Sequence, residues 1–493
     1  MSGLQQDRRN VLFILSDDQG PWAMGCAGNS EIETPNLDRL AVTGMRFDNF
    51  FCASPVCSPA RATLLTGRLP SQHGVHDWIN AGNTIAKYEP ARNGELIEYL
   101  KDQVGYTDLL SAAGYCCGIS GKWHLGDSHH PQKSFDYWGV HAKGGGPYFN
   151  APMIRGGGIH EEPGYVTDAI TANALRWLEG QKAGKHPFYL SVHYTAPHSP
   201  WSRNNHPTEV YDRYYNDCPF KSVPEHLTPP DWVQNVSIPV KTAEQRREHL
   251  SGYYAAVTSM DRSIGRLIDW LEANGLREET LIVFTSDNGM NMGHHGVYGK
   301  GNATFPLNMF EESVKVPFIV SNPGRVAQGT VNSDLVSQYD FMPTLLDYVG
   351  IENPQREQLP GRSFAGVFRG AETKSDSHIV VFDEYGPVRM IRNRKWKYVH
   401  RFNHAPNELY DLVSDPYEQR NMAGDVNCHT VENRLRTCLT EWFSRYVIPE
   451  RDGSMKPVTG NGQLGLCWEK EEGRLPFNPG CTRRAGVKNE REC

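Results

Sequence analysis

Short apolar runs that end in polar clusters alternate along this chain with longer segments of helical periodicity. No other feature narrows the available folds as much. Residues 10–15, 115–120, 187–193, 281–285 and 316–320 read as buried strands. The clearest helical segment is 253–274, where Val257, Met260, Ile264, Leu267, Ile268 and Leu271 recur at three- and four-residue spacing and Asn274-Gly275 offers a C-terminal cap. Strand–helix alternation predicts an α/β domain whose large, mostly parallel sheet is sandwiched by helices. Such sheets carry their sites beyond the carboxyl ends of the strands. At 370–377 the texture changes to the polar stretch GAETKSDS. Segments 378–385, 388–391 and 395–400, with turn signals at Gly386-Pro387 and Asn393-Arg394, then read as an antiparallel meander. A helix over 430–445 and a Gly/Pro-rich tail follow. The expected division is a large domain over 1–370 and a smaller C-terminal α+β subdomain, containing an antiparallel sheet, over 371–493.

Composition excludes several classes. Lys plus Arg number 50 against 57 Asp plus Glu, a net charge of −7. Mild acidity argues against binding nucleic acid or an anionic membrane over the whole surface, while leaving room for a local basic pocket. With 39% hydrophobic and 11% aromatic residues, the chain is too apolar to be disordered. Eleven cysteines form an odd set, so at least one stands outside any intramolecular disulfide, and a disulfide scaffold is disfavoured. The N-terminus MSGLQQDRRN lacks an apolar h-region, and no stretch approaches the roughly 20 apolar residues of a membrane span. A cytoplasmic location is expected, or a periplasmic or secreted one if a leader has been removed.

Two polar clusters at strand ends are chemically related. The first strand runs into Ser16-Asp17-Asp18 and the 281–285 strand into Ser286-Asp287-Asn288-Gly289. Separately, each could be a helix cap or a plain turn. Together, Asp17, Asp18, Asp287 and Asn288 make an all-oxygen set of the kind Ca²⁺ or Mg²⁺ prefers. The second feature is CSPARATLLTGR, from Cys57 to Arg68. Pro59 suits the first turn of a helix that residues 60–65 can propagate. Cys57 then lies at the positive end of the helix dipole with Arg61 one turn on, a combination that favours an anion. Read as plain chemistry, Cys57 is either a low-pKa thiolate nucleophile or a small buried residue.

CSPARATLLTGR resembles the signature of the type I sulfatases, C-x-P-S/A-R followed by Leu-Thr-Gly-Arg, with Ala60 where many members carry Ser. Further segments resemble that family in order: NVLFILSDDQG at the first metal-binding strand, GKWHLG with Lys122 and His124, APHSP with His198, SDNG at the second metal loop, GHHG followed by Lys300, and SQYDFMPTLLDY. The resemblance spans most of 10–348. It implies an alkaline-phosphatase-like fold, with 1–370 as the catalytic domain, and hydrolysis of sulfate esters by S–O cleavage. It implies that a maturation enzyme converts Cys57 to formylglycine, whose hydrate is the nucleophile. It also implies one divalent cation, Ca²⁺ ahead of Mg²⁺, held by Asp17, Asp18, Cys57, Asp287 and Asn288. By the same resemblance, Arg61 and Lys122 neutralise charge around the hydrate and the sulfate. His198 and Lys300 face the bridging oxygen, and His124 takes the proton that lets sulfate depart.

Taken singly, Lys122 or Lys300 would be a solvated charge and His124 or His198 a structural histidine. Zinc is rejected for His129-His130, because adjacent histidines in a strand point to opposite faces. His295 is left as a possible substrate contact, as are Asp77 and Trp78. Loops around 137–165 and 201–236 carry Gly144-Gly145-Gly146-Pro147-Tyr148-Phe149, Trp201 and Trp232. Aromatics beside a polar pocket suit sugar rings, so a sulfated saccharide is the preferred substrate over a small aryl sulfate. Other readings are a phosphonate or phosphate diester hydrolase of the same superfamily, a cysteine-nucleophile hydrolase, and a non-enzymatic sulfated-sugar-binding module.

Overall fold

The structure is a computed structural model that describes residues 9–85, 94–182, 184–225, 227–371, 378–383, 387–402, 405–454 and 462–468. Ten strands of the large sheet are β1 (Asn10–Ser16), β2 (Met45–Phe51), β3 (Cys116–Lys122), β4 (Tyr137–His141), β5 (Ala151–Arg155), β6 (Gly158–Glu162), β7 (Phe188–His193), β8 (Thr280–Ser286), β9 (Lys315–Ser321) and β10 (Thr330–Asn332). Their order across the sheet is β10-β2-β9-β8-β1-β7-β3-β4-β5-β6, and the short strand Val336–Ser337 also pairs with β2. From β8 through β1, β7 and β3 to β4 every pairing is parallel. On one flank β9 is antiparallel to both β8 and β2, with β10 parallel to β2; on the other, β5 is antiparallel to both β4 and β6.

The central strands are apolar on both faces because helices cover both. In β1, Val11, Phe13 and Leu15 join a core that includes Leu64 and Leu65 of α2 (Cys57–Thr66). Leu12 and Ile14 face the opposite core, with Leu37 of α1 (Pro35–Val42), Ile170 of α3 (Val166–Gln181), and Met260 and Leu267 of α4 (Ala243–Ala273). The period-two alternation of the strand assigns successive side chains to the two layers. α4 begins at Ala243 rather than 253. Its opening turns, AEQRREHL, are polar and carry no apolar stripe. They are capped by Thr242, whose hydroxyl oxygen accepts from the Gln245 N–H at 3.1 Å.

The C-terminal region forms the expected antiparallel sheet: β11 (Ile379–Asp383), β12 (Val388–Arg392), β13 (Trp396–Arg401) and β14 (Glu408–Asp411). β14 was not read from the sequence. α5 (His429–Tyr446) covers this sheet through Leu435, Leu439 and Phe443. Most of the 370–377 stretch and most of the tail lie outside the described residues. The small sheet packs directly on the large domain, with the Phe382 N–H donating to the Ala53 carbonyl at 3.0 Å. Ala53, Leu69 and Tyr339 share the apolar cluster of Val380, Phe382 and Ile391. Among the described residues, no helix is long and apolar enough to cross a membrane.

Candidate active site

Four adjacent parallel strands deliver the predicted polar groups to one edge of the sheet. β1 leads into Asp17 and Asp18, β8 into Asp287 and Asn288, β3 ends on Lys122 just before His124, and β7 leads into the loop bearing His198. Asp18 and His124 take left-handed backbone conformations, with φ 65° and 55°. Neither is glycine, and such strain in bulky residues is concentrated where a side chain must be aimed. α2 begins at Cys57 directly after extended Val56, so the thiol stands at the helix N-terminus, as Pro59 foretold.

The carboxylates of Asp17, Asp18 and Asp287 are fully or nearly fully buried. They present oxygens that all lie within 4.8 Å of one another. Asn288 donates from Nδ2 to Asp18 at 2.8 Å, while its Oδ1 is buried with no hydrogen-bond partner. An orphaned oxygen beside three clustered carboxylates is what a hard divalent cation requires of its ligands. The four residues therefore fit such an ion. Burial and the neighbouring Asp287 push the Asp17 carboxyl above its usual range. Burial acts the same way on Asp18 and Asp287, but Lys300 reverses it for Asp18 and Arg61 for Asp287, so both lie below their usual range.

Three buried cations balance this cluster. Arg61 donates from Nε to Asp287 at 3.0 Å and from Nη1 to the Lys122 carbonyl at 3.1 Å. The Lys122 ammonium meets Asp17. Lys300 Nζ lies 2.5 Å from Asp18 and 2.6 Å from the Cys57 sulfur. The thiol is 3.5 Å from Asp17 and 3.9 Å from Asp18. Burial outweighs the lowering effect of Lys122 and Lys300 and pushes the thiol up to about 12. Of the two plain-chemistry readings of Cys57, this fits the small buried residue and not the low-pKa thiolate that the helix dipole would favour. Arg61 does not reverse the rise, because its guanidinium is held by Asp287.

The two histidines are set differently. His124 Nε2 is 3.0 Å from the Ile79 carbonyl and must be the donor there, while its Nδ1 is buried without a hydrogen-bond partner. Burial, reinforced by Lys122 and Arg61, holds the imidazole well below its ordinary pKa, so it is neutral at neutral pH. His198 Nδ1 donates to the Ser199 carbonyl at 2.7 Å and presents Nε2 3.7 Å from Asp18.

A cavity of about 630 Å³ opens over this cluster, and Asp18, Cys57, Trp78, His124, His198 and Lys300 line it. Asp17, Arg61, Lys122, Asp287 and Asn288 are buried and lie outside its lining. Asp77, expected as a substrate contact, is fully buried and accepts from the Trp78 N–H at 2.7 Å. His295 is also outside the wall, because its Nε2 faces Glu312 at 3.0 Å and its ring stacks on Phe310 at 3.9 Å. Trp201 and Trp232 are loop anchors: Trp201 donates to the Pro197 carbonyl, and Trp232 lies against Phe310 and Arg401. Gly144 and Gly145 do reach the cavity. Sequence reasoning missed Asn80, Lys143, Ile238 and Leu464 on the wall. Lys143 precedes the glycine run, a signal that could have found it; nothing in the sequence near Leu464 points to the site.

Comparison with known proteins gives a consistent result. The Sulfatase family matches residues 9–351, and the family described as N-sulphoglucosamine sulphohydrolase, C-terminal, matches 293–444. An N-acetylglucosamine-6-O-sulfatase of Bacteroides thetaiotaomicron is 29% identical, over 89% of this chain and 87% of its own. An ulvan-active sulfatase of Formosa agariphila is 30% identical, over 87% and 81%. A solved structure described as in complex with its substrate D-glucosamine-2-N,6-O-disulfate superposes with a TM-score of 0.72 at 26% identity, covering 91% of this chain and 100% of that one.

Proposed function

Because the chain belongs to the sulfatase family and is a sulfuric ester hydrolase, we propose that it removes sulfate from a carbohydrate, using formylglycine made from Cys57 and one bound divalent cation, Ca²⁺ ahead of Mg²⁺. The observation that carries this reading is the convergence of residue 57, three buried carboxylates, the orphaned Asn288 oxygen and Lys300 at the floor of one cavity. The relatives named for glucosamine and ulvan substrates support the carbohydrate.

Asp17, Asp18, Asp287 and Asn288 would hold the cation, which supplies Lewis-acid polarisation of a sulfate oxygen and lowers the pKa of a neighbouring nucleophile. Formylglycine at position 57 would supply an aldehyde hydrate, with one hydroxyl as the nucleophile and a second whose deprotonation would release sulfate. The chain's own residues manage charge and protons. Lys122 and Lys300 offset the sulfate's negative charge, and Arg61 fixes the orientation of Asp287. His198, with Nδ1 committed to Ser199, has Nε2 available to protonate the leaving oxygen. His124, neutral and with an unpartnered Nδ1, is suited to accept the proton of the second hydroxyl.

The test is a steady-state assay of free sulfate released from N-acetylglucosamine 6-sulfate by protein co-expressed with a maturation enzyme, with a phosphonate monoester assayed in parallel. Mass spectrometry of tryptic segment 47–61 should locate an aldehyde at position 57. Cys57→Ser should lose multiple turnover by on the order of 10³-fold or more. Full turnover by that variant, or preference for the phosphonate, would overturn the reading.

A further inference from the structure

Residues 462–468 lie beyond both family matches, which end at 351 and 444, yet they return to the mouth of the cavity. Gln463 is fully buried and knits this segment to the chain that follows the nucleophile helix. Its backbone pairs with residues on either side of Ile79, donating to the Trp78 carbonyl at 2.9 Å and accepting from the Asn80 N–H at 3.0 Å. Its side-chain oxygen accepts from the His76 N–H at 2.8 Å, and its side-chain nitrogen donates to the Gly74 carbonyl at 2.9 Å. A buried amide satisfied on both sides is a strong fixed point, because breaking it strands polar groups that water cannot reach. A Cβ on Gly74 would lie 2.5 Å from the Trp468 ring and 2.9 Å from the Cys467 sulfur, so the segment sits tightly against that turn.

The anchored stretch is also tied to the chemistry. The Ile79 N–H donates to Ser58 Oγ at 3.1 Å, next to Cys57, and its carbonyl accepts from His124. One residue past Gln463, Leu464 is half-buried and lines the cavity together with Trp78 and Ile238. These three side chains add apolar surface to a lining that also carries Asp18, His198 and Lys300. Such surface suits the C–H face of a pyranose, while the floor takes the sulfate.

We propose that the C-terminal segment is a specificity wall: Leu464 contacts the sugar moiety of the substrate, and Gln463 is the positioning residue that holds it there. This rests on the carbohydrate sulfatase reading and assigns part of its substrate recognition to a segment outside the matched family regions.

The experiment compares matured wild type, Leu464→Ala, Leu464→Met and Gln463→Ala in two measurements. One is kcat and KM for N-acetylglucosamine 6-sulfate; the other is inhibition by inorganic sulfate, which occupies only the floor. Leu464→Ala should raise KM about ten-fold, the scale of one lost apolar contact, with kcat and the sulfate inhibition constant within about two-fold. Leu464→Met should restore KM, and Gln463→Ala should move KM in the same direction as Leu464→Ala. An unchanged KM in Leu464→Ala, or an equal change in KM and sulfate inhibition, would overturn the proposal. No turnover of the sugar sulfate by matured wild type would instead overturn the carbohydrate reading, and this proposal with it.

Discussion

A Cβ placed on Gly144 would lie 2.1 Å from Cε1 and 2.5 Å from Nδ1 of His124. Real side chains do not approach so closely, so the glycine is required by a ring arriving from elsewhere in the fold rather than by its own turn. His124 is buried and held through the Ile79 carbonyl, which leaves the ring little freedom to yield. Gly144→Ala should therefore displace His124 and lower kcat by roughly 10–100-fold, since a misplacement near 1 Å can cost about 10²-fold. KM should change far less, because the substitution leaves Lys300 and the carboxylate cluster in place; a kcat within two-fold of wild type would show that the ring is not held there. Asp17, Asp18, Asp287 and Asn288 were legible because each follows a strand directly, so sequence position sets spatial position. The constraint on Gly144 was not legible, because it depends on a contact that exists only after β3 and the loop beyond β4 are brought together.

Pairs of elements outside the cavity explain why some candidate residues are not at the site. His295 belongs to the turn His294–Gly296 and Glu312 to the short helix Glu311–Val314. Their ion pair, with Phe310 stacked on the imidazole, locks these elements together. Burial opposes the charge on both partners, yet hydrogen bonding to His295 brings Glu312 down to about 2, and hydrogen bonding to Glu312 raises His295 above its ordinary value. The depressed carboxyl contributes stability above about pH 4.5 and loses it as pH falls towards 2. The raised imidazole contributes below about pH 6.5 and loses it as pH rises through its folded pKa. The pair should therefore stabilise most between those limits. Glu312→Gln should cost about 3 kcal/mol in that window, as for a buried pair broken on one side, and less on either side of it. Urea unfolding at a series of pH values measures this; a deficit independent of pH would refute it. The adjacent histidines gave a local pattern, but their partner at 312 comes from another element, which spacing alone does not reveal. The early start of α4 was hidden for a related reason: its first turns face solvent, and only the Thr242 cap marks them.

Across the whole molecule, the change in texture near 370 correctly announced a second sheet but not how firmly it would be joined to the first. Glu311 of the large domain lies 3.0 Å from Arg392 of β12 and 3.3 Å from Lys397 of β13, and Lys397 in turn lies 2.5 Å from Glu418. Glu311 also receives the Glu418 side chain at its own backbone N–H, at 2.7 Å. Lys397 is fully buried, so its charge is compensated by these carboxylates alone among the groups named here. Burial raises the Glu311 carboxyl, but Arg392 and Lys397 more than reverse that and hold it well below its usual range. Such a network adds little beyond an apolar contact when complete, yet its rupture leaves charges stranded in low dielectric. The tail adds a second tie, with Gln463 and His76 joined across 387 positions of sequence; contacts of that separation leave no trace in local periodicity. The ionic junction, with the apolar cluster that Ala53, Leu69 and Tyr339 share with Val380, Phe382 and Ile391, makes the small sheet and the large domain one cooperative unit. Wild type should accordingly lose activity and the fluorescence of Trp396 and Trp442 in a single thermal transition. Glu311→Gln should lower that transition by the equivalent of about 3 kcal/mol while keeping the two signals coincident. A small sheet that melts ahead of activity in the wild-type protein would show instead that the ionic junction does not couple the two parts.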